Sequence, residues 1–149
     1  MIMKFLPIKQ RLEDNQQFTS DPLCKSTVES LIAFYKKVGF VEPWIGYYVE
    51  EDGDIVGSAG FKGPPANGMV EIAYGTNEKY RHQGVGTKIC KLLVELAFKN
   101  DPSIKITART FSAANYSTKI LLKNKFICIG TVDDPDDGEV YEWLFQSTK

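Results

Sequence analysis

Tyr80-Arg81-His82-Gln83-Gly84-Val85-Gly86-Thr87 sets an arginine and two closely spaced glycines directly before an apolar-periodic segment. Val85, Ile89, Leu92, Leu93, Leu96 and Ala97 share one helical stripe, which predicts a helix from about Val85 to about Asn100 with one face packed on a sheet. Glycines allow a tight turn and a close approach of backbone amides to a ligand. The free N–H groups and positive dipole end of the helix that follows complement anionic oxygens. Arg81 adds a fixed charge, so the stretch reads either as a pyrophosphate cradle or as a plain strand-to-helix turn. Two familiar phosphate motifs do not fit. A dinucleotide fingerprint requires a small residue where Ile89 stands, and a Walker loop requires a Gly-Lys-Ser/Thr spacing that Gly84 to Lys88 does not supply.

Outward from the loop, Met69 to Thr76 reads as a strand, preceded by a Pro- and Gly-rich loop at Gly63-Pro64-Pro65-Ala66-Asn67-Gly68. Trp44 to Val49 and Asp54 to Phe61 are aromatic and β-branched runs around Asp52-Gly53, a hairpin signal. Lys4 to Ile8 suggests a short edge strand, where the missing donor of Pro7 is tolerated. Ser20-Asp21-Pro22 is a capping signal. Val28, Leu31, Ile32 and Tyr35 form the stripe of a helix from about 22 to 38 that ends before Gly39. Ile104 to Thr110 reads as a strand, Tyr116 to Lys123 as a short helix, and Phe126 to Val132 and Val140 to Phe145 as a last pair of strands. Hairpin strands first and a strand–helix–strand unit later imply an α+β fold in one domain over residues 1–149, a mixed sheet with helices on its faces.

Composition narrows the class. With 149 residues and 43% hydrophobic content the chain can bury one substantial core. A net charge of −1 supplies neither the cationic surface of a nucleic-acid-wrapping protein nor a polybasic membrane patch. No apolar run approaches the roughly 20 residues needed to span a bilayer, and the start lacks the long apolar region of a signal peptide, so the cytosol is the expected compartment. Cys24, Cys90 and Cys128 are widely spaced and odd in number, which argues against a disulfide framework and a thiolate metal site and reads them as small core residues. His82, the one histidine, has no companions at metal-ligand spacing and is expected to be exposed in the loop.

Three linked segments resemble the GNAT acyltransferase superfamily, in particular its ribosomal-protein-alanine-acetyltransferase-like branch. The loop matches the family's Arg-x-x-Gly-x-Gly coenzyme A motif. Gly68 to Thr76, with Glu71-Ile72-Ala73-Tyr74, is similar to the central strand, and Asn115 to Phe126 is similar to the branch's Asn-x-x-Ser…Leu-x-Lys-x-Gly-Phe segment. The resemblance implies a mostly antiparallel sheet of about six to seven strands with about four helices. It also implies an N-acetyltransferase that uses acetyl-CoA as co-substrate to acetylate a small-molecule amine or a protein N-terminus by direct transfer, as a monomer or homodimer, without nucleic acid, membrane or metal. Arg81, His82, Gln83, Gly84, Val85, Gly86 and Thr87 would hold the phosphates. The backbone of Tyr74, Gly75 and Thr76, its amides exposed by a local splay between this strand and the next, would grip the pantetheine arm and polarise the thioester oxygen, with Gly75 at a local bulge.

Glu71 is the candidate general base. Alternation sets it with Met69 and Ala73 on one face of the strand, opposite Val70, Ile72 and Tyr74. Buried without a partner it would have a raised pKa suited to a base; the alternatives are a Lys or Arg partner, or solvent. Asn115 and Ser117 are read equally as cofactor contacts or as caps of the short helix. The chain departs from the family at three points: the Asn position falls on Ala114, Lys125 replaces a small residue, and Leu121 stands where several branches carry a tyrosine acid, leaving Tyr116 as a substitute. The acceptor side is expected from the first helix, Phe40 to Trp44, Tyr47, Tyr48 and the acidic turn of Asp133, Asp134, Asp136 and Asp137. Two other readings use the same loop: a non-catalytic acyl-CoA-binding sensor, and a nucleotide- or phosphate-binding protein.

Overall fold

A computed structural model describes residues 2–111 and 115–146. Seven strands form one sheet in the order β1-β2-β3-β4-β5-β7-β6. They are β1 (Met3–Pro7), β2 (Gly46–Glu51), β3 (Asp54–Phe61), β4 (Met69–Thr76), β5 (Lys105–Thr110), β6 (Phe126–Asp134) and β7 (Gly138–Phe145). Every pairing is antiparallel except β4 with β5. The helices are α1 (Gln16–Thr19), α2 (Pro22–Val38), α3 (Val85–Asn100) and α4 (Tyr116–Lys123). The mixed, mostly antiparallel α+β architecture is the one expected. Among the described residues, no helix is long and apolar enough to cross a membrane.

Local chemistry sets most boundaries. Asp21 accepts a hydrogen bond from the Leu23 N–H at 2.9 Å, Pro22 occupies the first turn, and Gly39 ends α2 at φ 98°. Asp52 and Gly53 both take positive φ, the geometry of the hairpin turn that matches strand twist. β2 nevertheless starts two residues later than expected. The N–H groups of Trp44 and Ile45 donate to Val41 and Pro43 in a turn, and Trp44 covers Phe61 edge-on at 5.0 Å. A short 3-10 turn (Leu12–Asn15) and α1 were not foreseen. Asn15 is fully buried there, bonded to Lys9 and Arg11 backbone, and Phe18 packs on Tyr48 at 4.7 Å.

The sheet's two faces divide the core. Ile89, Leu93 and Ala97 of α3 meet Val70, Ile72 and Val49 on one face, while Val28 of α2 joins Ile8, Phe18 and Tyr48 on the other. Cys90 is core and Cys24 half-buried, but Cys128 is exposed. Edge strand β6 is open along most of its length, which leaves that thiol uncovered and corrects its reading as a core residue.

Candidate active site

The loop of residues 80–87 folds into one wall of a cavity of about 240 Å³. Gly84 caps α3 in the left-handed conformation at φ 80° and no side chain caps the helix, so the first-turn amides of Val85, Gly86 and Thr87 are not taken by a cap. Gly86 serves packing as well as turning: a Cβ there would lie 2.6 Å from Ile120 Cδ1 and 3.1 Å from Thr76 Oγ1. Arg81 is fixed by an Nε–H bond to the Thr76 carbonyl at 3.3 Å and by its position 5.7 Å from the Tyr116 ring centroid. Lys119 and Lys123 of α4 line the opposite wall. Three cations and uncapped helix amides, with no carboxylate in the lining, make an anion site. The two lysines are spaced one helical turn apart, a signal that sequence reasoning passed over.

A second opening lies where β4 and β5 part. They pair only from Met69 with Lys105 to Glu71 with Thr107; beyond that, β5 continues with β7 while Ile72 to Thr76 continues with β3 alone. The Glu71 carbonyl accepts from Lys62 N–H on the β3 side, so the last parallel rung to Thr107 engages the Ile72 N–H, and alternation turns the peptide groups of Tyr74 and Thr76 toward the gap. This corrects the reading of Gly75. Its peptide faces β3, the register there runs without a bulge, and its carbonyl sits where a side chain on Gly57 would have to go. The cleft, about 110 Å³, is lined by Glu71, Tyr74, Arg109, Ser117 and Leu121 among others.

Glu71 is not an unpartnered buried carboxylate. Lys62 Nζ lies 3.0 Å from one oxygen and Arg109 Nε 3.7 Å from the other, the alternative in which a cation pairs with it. Arg109 also forks to Asp134 at 2.8 Å and Glu142 at 3.3 Å. Those hydrogen bonds, Asp134 first, raise the guanidinium's pKa, and the same contact holds the Asp134 carboxyl down at about 2. Asp134 accepts besides from the amides of Asp136 and Asp137, so this part of the acidic turn is committed to structure rather than to an amine.

The remaining candidates divide. Thr76, Arg81, His82 and Gly84 to Thr87 share the first cavity; Tyr74, Ser117 and Glu71 share the cleft. Gln83 turns its amide to the Lys79 carbonyl, outside both. Asn115 forms a capping box with Thr118, its side chain accepting at 3.0 Å and its own N–H donating to the Thr118 hydroxyl at 3.1 Å, so the cap role is realised. Ala114 lies outside the described residues. Leu121 is fully buried in the cleft, while Tyr116 lies beside Arg81 in the anion cavity and cannot replace a tyrosine there. The Tyr74 hydroxyl donates to the Ser117 carbonyl at 3.4 Å, and burial raises its pKa above the usual phenol range.

Across β4 from the cleft, between α2 and the β2–β4 face, runs a groove of about 480 Å³ that shares Lys62, Ala73 and Tyr74 with the cleft. Anion cavity, splayed strands and groove thus adjoin along β4. The model of the acetyltransferase (GNAT) family matches residues 41–123, which hold the lining of the anion cavity and the cleft and the sheet side of the groove but not its α2 wall. The chain belongs to the GNAT family. An uncharacterized N-acetyltransferase of Bacillus subtilis (strain 168), YjdG, is 36% identical over 106 residues, 70% of this chain and 59% of that protein; the chain's match therefore spans less than two thirds of the relative's length. Two solved GNAT-fold structures were captured with coenzyme A. The ribosomal L7/L12 alpha-N-protein acetyltransferase RimL superimposes with a TM-score of 0.67 at 13% identity, over 95% of this chain and 92% of that one. The aminoglycoside acetyltransferase AAC(6')-Ib does so with 0.66 at 20%, over 98% and 94%.

Proposed function

We propose that this chain is an N-acetyltransferase moving an acetyl group from acetyl-CoA to a primary amine within a ternary complex. The observation that carries the reading is the junction at β4, where Glu71 and unpaired strand amides lie between an anion cavity and an open groove. Arg81, Lys119, Lys123 and the α3 amides suit the phosphates, and the β4 edge suits a pantetheine amide chain. When bound, acetyl-CoA supplies the thioester. The N–H of Tyr74, beyond the last β4–β5 rung and aimed into the gap, donates to the oxygen on which charge develops, an interaction worth a few kcal/mol when preorganised. Glu71, paired with Lys62 and Arg109, takes the amine's proton directly or through water as the C–N bond forms and the C–S bond breaks. The thiolate is protonated from solvent, since Leu121 carries no proton and the Tyr74 hydroxyl is bound to Ser117.

A non-catalytic coenzyme A sensor is the second reading, favoured by Leu121 and by the neutralised state of Glu71. Calorimetry with acetyl-CoA, coenzyme A and ADP, followed by thiol-release assays over an amine panel, separates the two. A transferase binds acetyl-CoA more tightly than ADP and releases thiol. Glu71→Gln should then lower kcat/KM by about 100-fold or more at neutral pH with coenzyme affinity kept, the range expected for a lost general base. Wild-type turnover of that variant across pH would refute the assignment.

A further inference from the structure

We propose that the acceptor is a primary amine carried on an apolar body with a single ammonium group, and that the groove between α2 and the sheet holds that body. The inference rests on the acetyltransferase reading and adds the chemistry of its second substrate. The groove's position fixes the direction of entry. It meets the Glu71 cleft through Lys62, Ala73 and Tyr74, so a ligand lying in it points one end at Glu71.

The lining decides the rest. Its floor is made of the small residues Gly46, Ser58, Gly60 and Gly75, and its wall of Leu31 and Phe34, both half-buried on α2. Close packing requires two of these glycines: Leu31 already occupies the place of a Cβ on Gly46, and one on Gly60 would lie 3.0 Å from Gly46 Cα. At about 480 Å³ the groove is in the size range of small-molecule pockets. Among the described residues two charged side chains line it, Lys62 and Asp136, and Asp136 is exposed. A second ammonium on the ligand would find no desolvated carboxylate to pair with. It would meet Lys62 as a like charge, and burying it against Leu31 and Phe34 is costly. An alkyl or aryl body instead gains with every methylene it removes from water.

The test is thiol release with propylamine, butylamine, pentylamine, hexylamine and spermidine. Each buried methylene contributes about 0.8 kcal/mol, so kcat/KM should rise about fourfold per carbon until the groove is filled. Spermidine should fall at least about tenfold below hexylamine. Phe34→Asp, with its helix content checked by circular dichroism, should reverse that order while leaving the calorimetric affinity for coenzyme A unchanged. A flat alkylamine series, or spermidine ahead of hexylamine in the wild type, overturns the apolar-body inference and leaves the transferase reading standing. Absence of thiol release from every amine overturns both.

Discussion

Tyr35→Phe removes one oxygen atom and, with it, the tie that holds α2 to two strands. The hydroxyl donates to the Ile8 carbonyl at 2.7 Å and accepts from the Gly46 N–H at 3.0 Å, in a residue only 4% exposed. Phenylalanine keeps the ring and its edge-on contact with Phe40 at 5.0 Å, so no apolar packing is lost. What changes is that a buried carbonyl and a buried N–H lose their partner together. Each unsatisfied group costs about 1–3 kcal/mol, so the pair should cost about 2–6 kcal/mol. For a domain of this size that corresponds to a fall in Tm of roughly 6–18 °C.

Urea unfolding followed by circular dichroism reads this directly, and an unchanged m-value would show that the loss belongs to the folded state. Burial pushes the Tyr35 phenol up to about 12, so the hydroxyl is protonated throughout the working range and the loss should be the same at pH 6 and pH 9. Tyr47→Phe is the internal comparison. Its hydroxyl makes a single bond, to the Pro43 carbonyl at 2.6 Å, so its removal should cost about half as much. Because Ile8 and Gly46 also line the groove, Tyr35→Phe should raise KM for the amine without altering coenzyme affinity. A loss below about 0.5 kcal/mol, or a larger one for Tyr47→Phe, would refute the reasoning.

Gly86→Ala should destabilise by about 1–3 kcal/mol, because its Cβ falls 2.6 Å from Ile120 Cδ1, and Ile120→Val, which removes that atom, should recover part of the loss in a double-mutant cycle. Additive losses would place the strain elsewhere. Stability should also fall as pH rises above about 9 toward 12. Burial raises the phenols of Tyr35 and Tyr48 to about 12 and the Cys90 thiol from 9.0 to about 12, so the unfolded chain releases these protons first. A urea midpoint that is level from pH 8 to pH 11 would contradict this.

What could be read from the sequence follows the range of the interactions involved. α2 was legible end to end because its stop and start are local: Asp21 caps the second residue on, Pro22 fits the first turn, and Gly39 takes the conformation that ends it. The β2–β3 hairpin was legible for the same reason at Asp52-Gly53. Residues 12–19 were missed because Leu12-Glu13-Asp14-Asn15-Gln16-Gln17 has no apolar period; the buried group is the Asn15 amide, satisfied by backbone that only the fold brings near. The partners of Glu71 were illegible on like grounds. Lys62 follows β3 and Arg109 lies on β5, and nothing in either segment marks it as facing β4. The splay of β4 from β5 was expected from the family resemblance alone, because it is a matter of register, which residue types do not encode.

The two cations on Glu71 differ in a way that bears on how a base can work there. Arg109 is anchored by Asp134 and Glu142, whose carboxylates are 7% and 22% exposed, so releasing it would strand two further anions. Lys62 is 41% exposed and, among the described residues, makes its ion pair with Glu71 alone. It is the partner that can leave for solvent at little cost. An arriving ammonium can therefore take the place of Lys62 while Arg109 stays, one cation for another. The carboxylate then keeps a cationic partner in the cleft throughout the exchange. Such an exchange admits one ammonium at the Glu71 end of the groove, which is the same limit that the mostly apolar lining of the groove sets on the rest of the substrate.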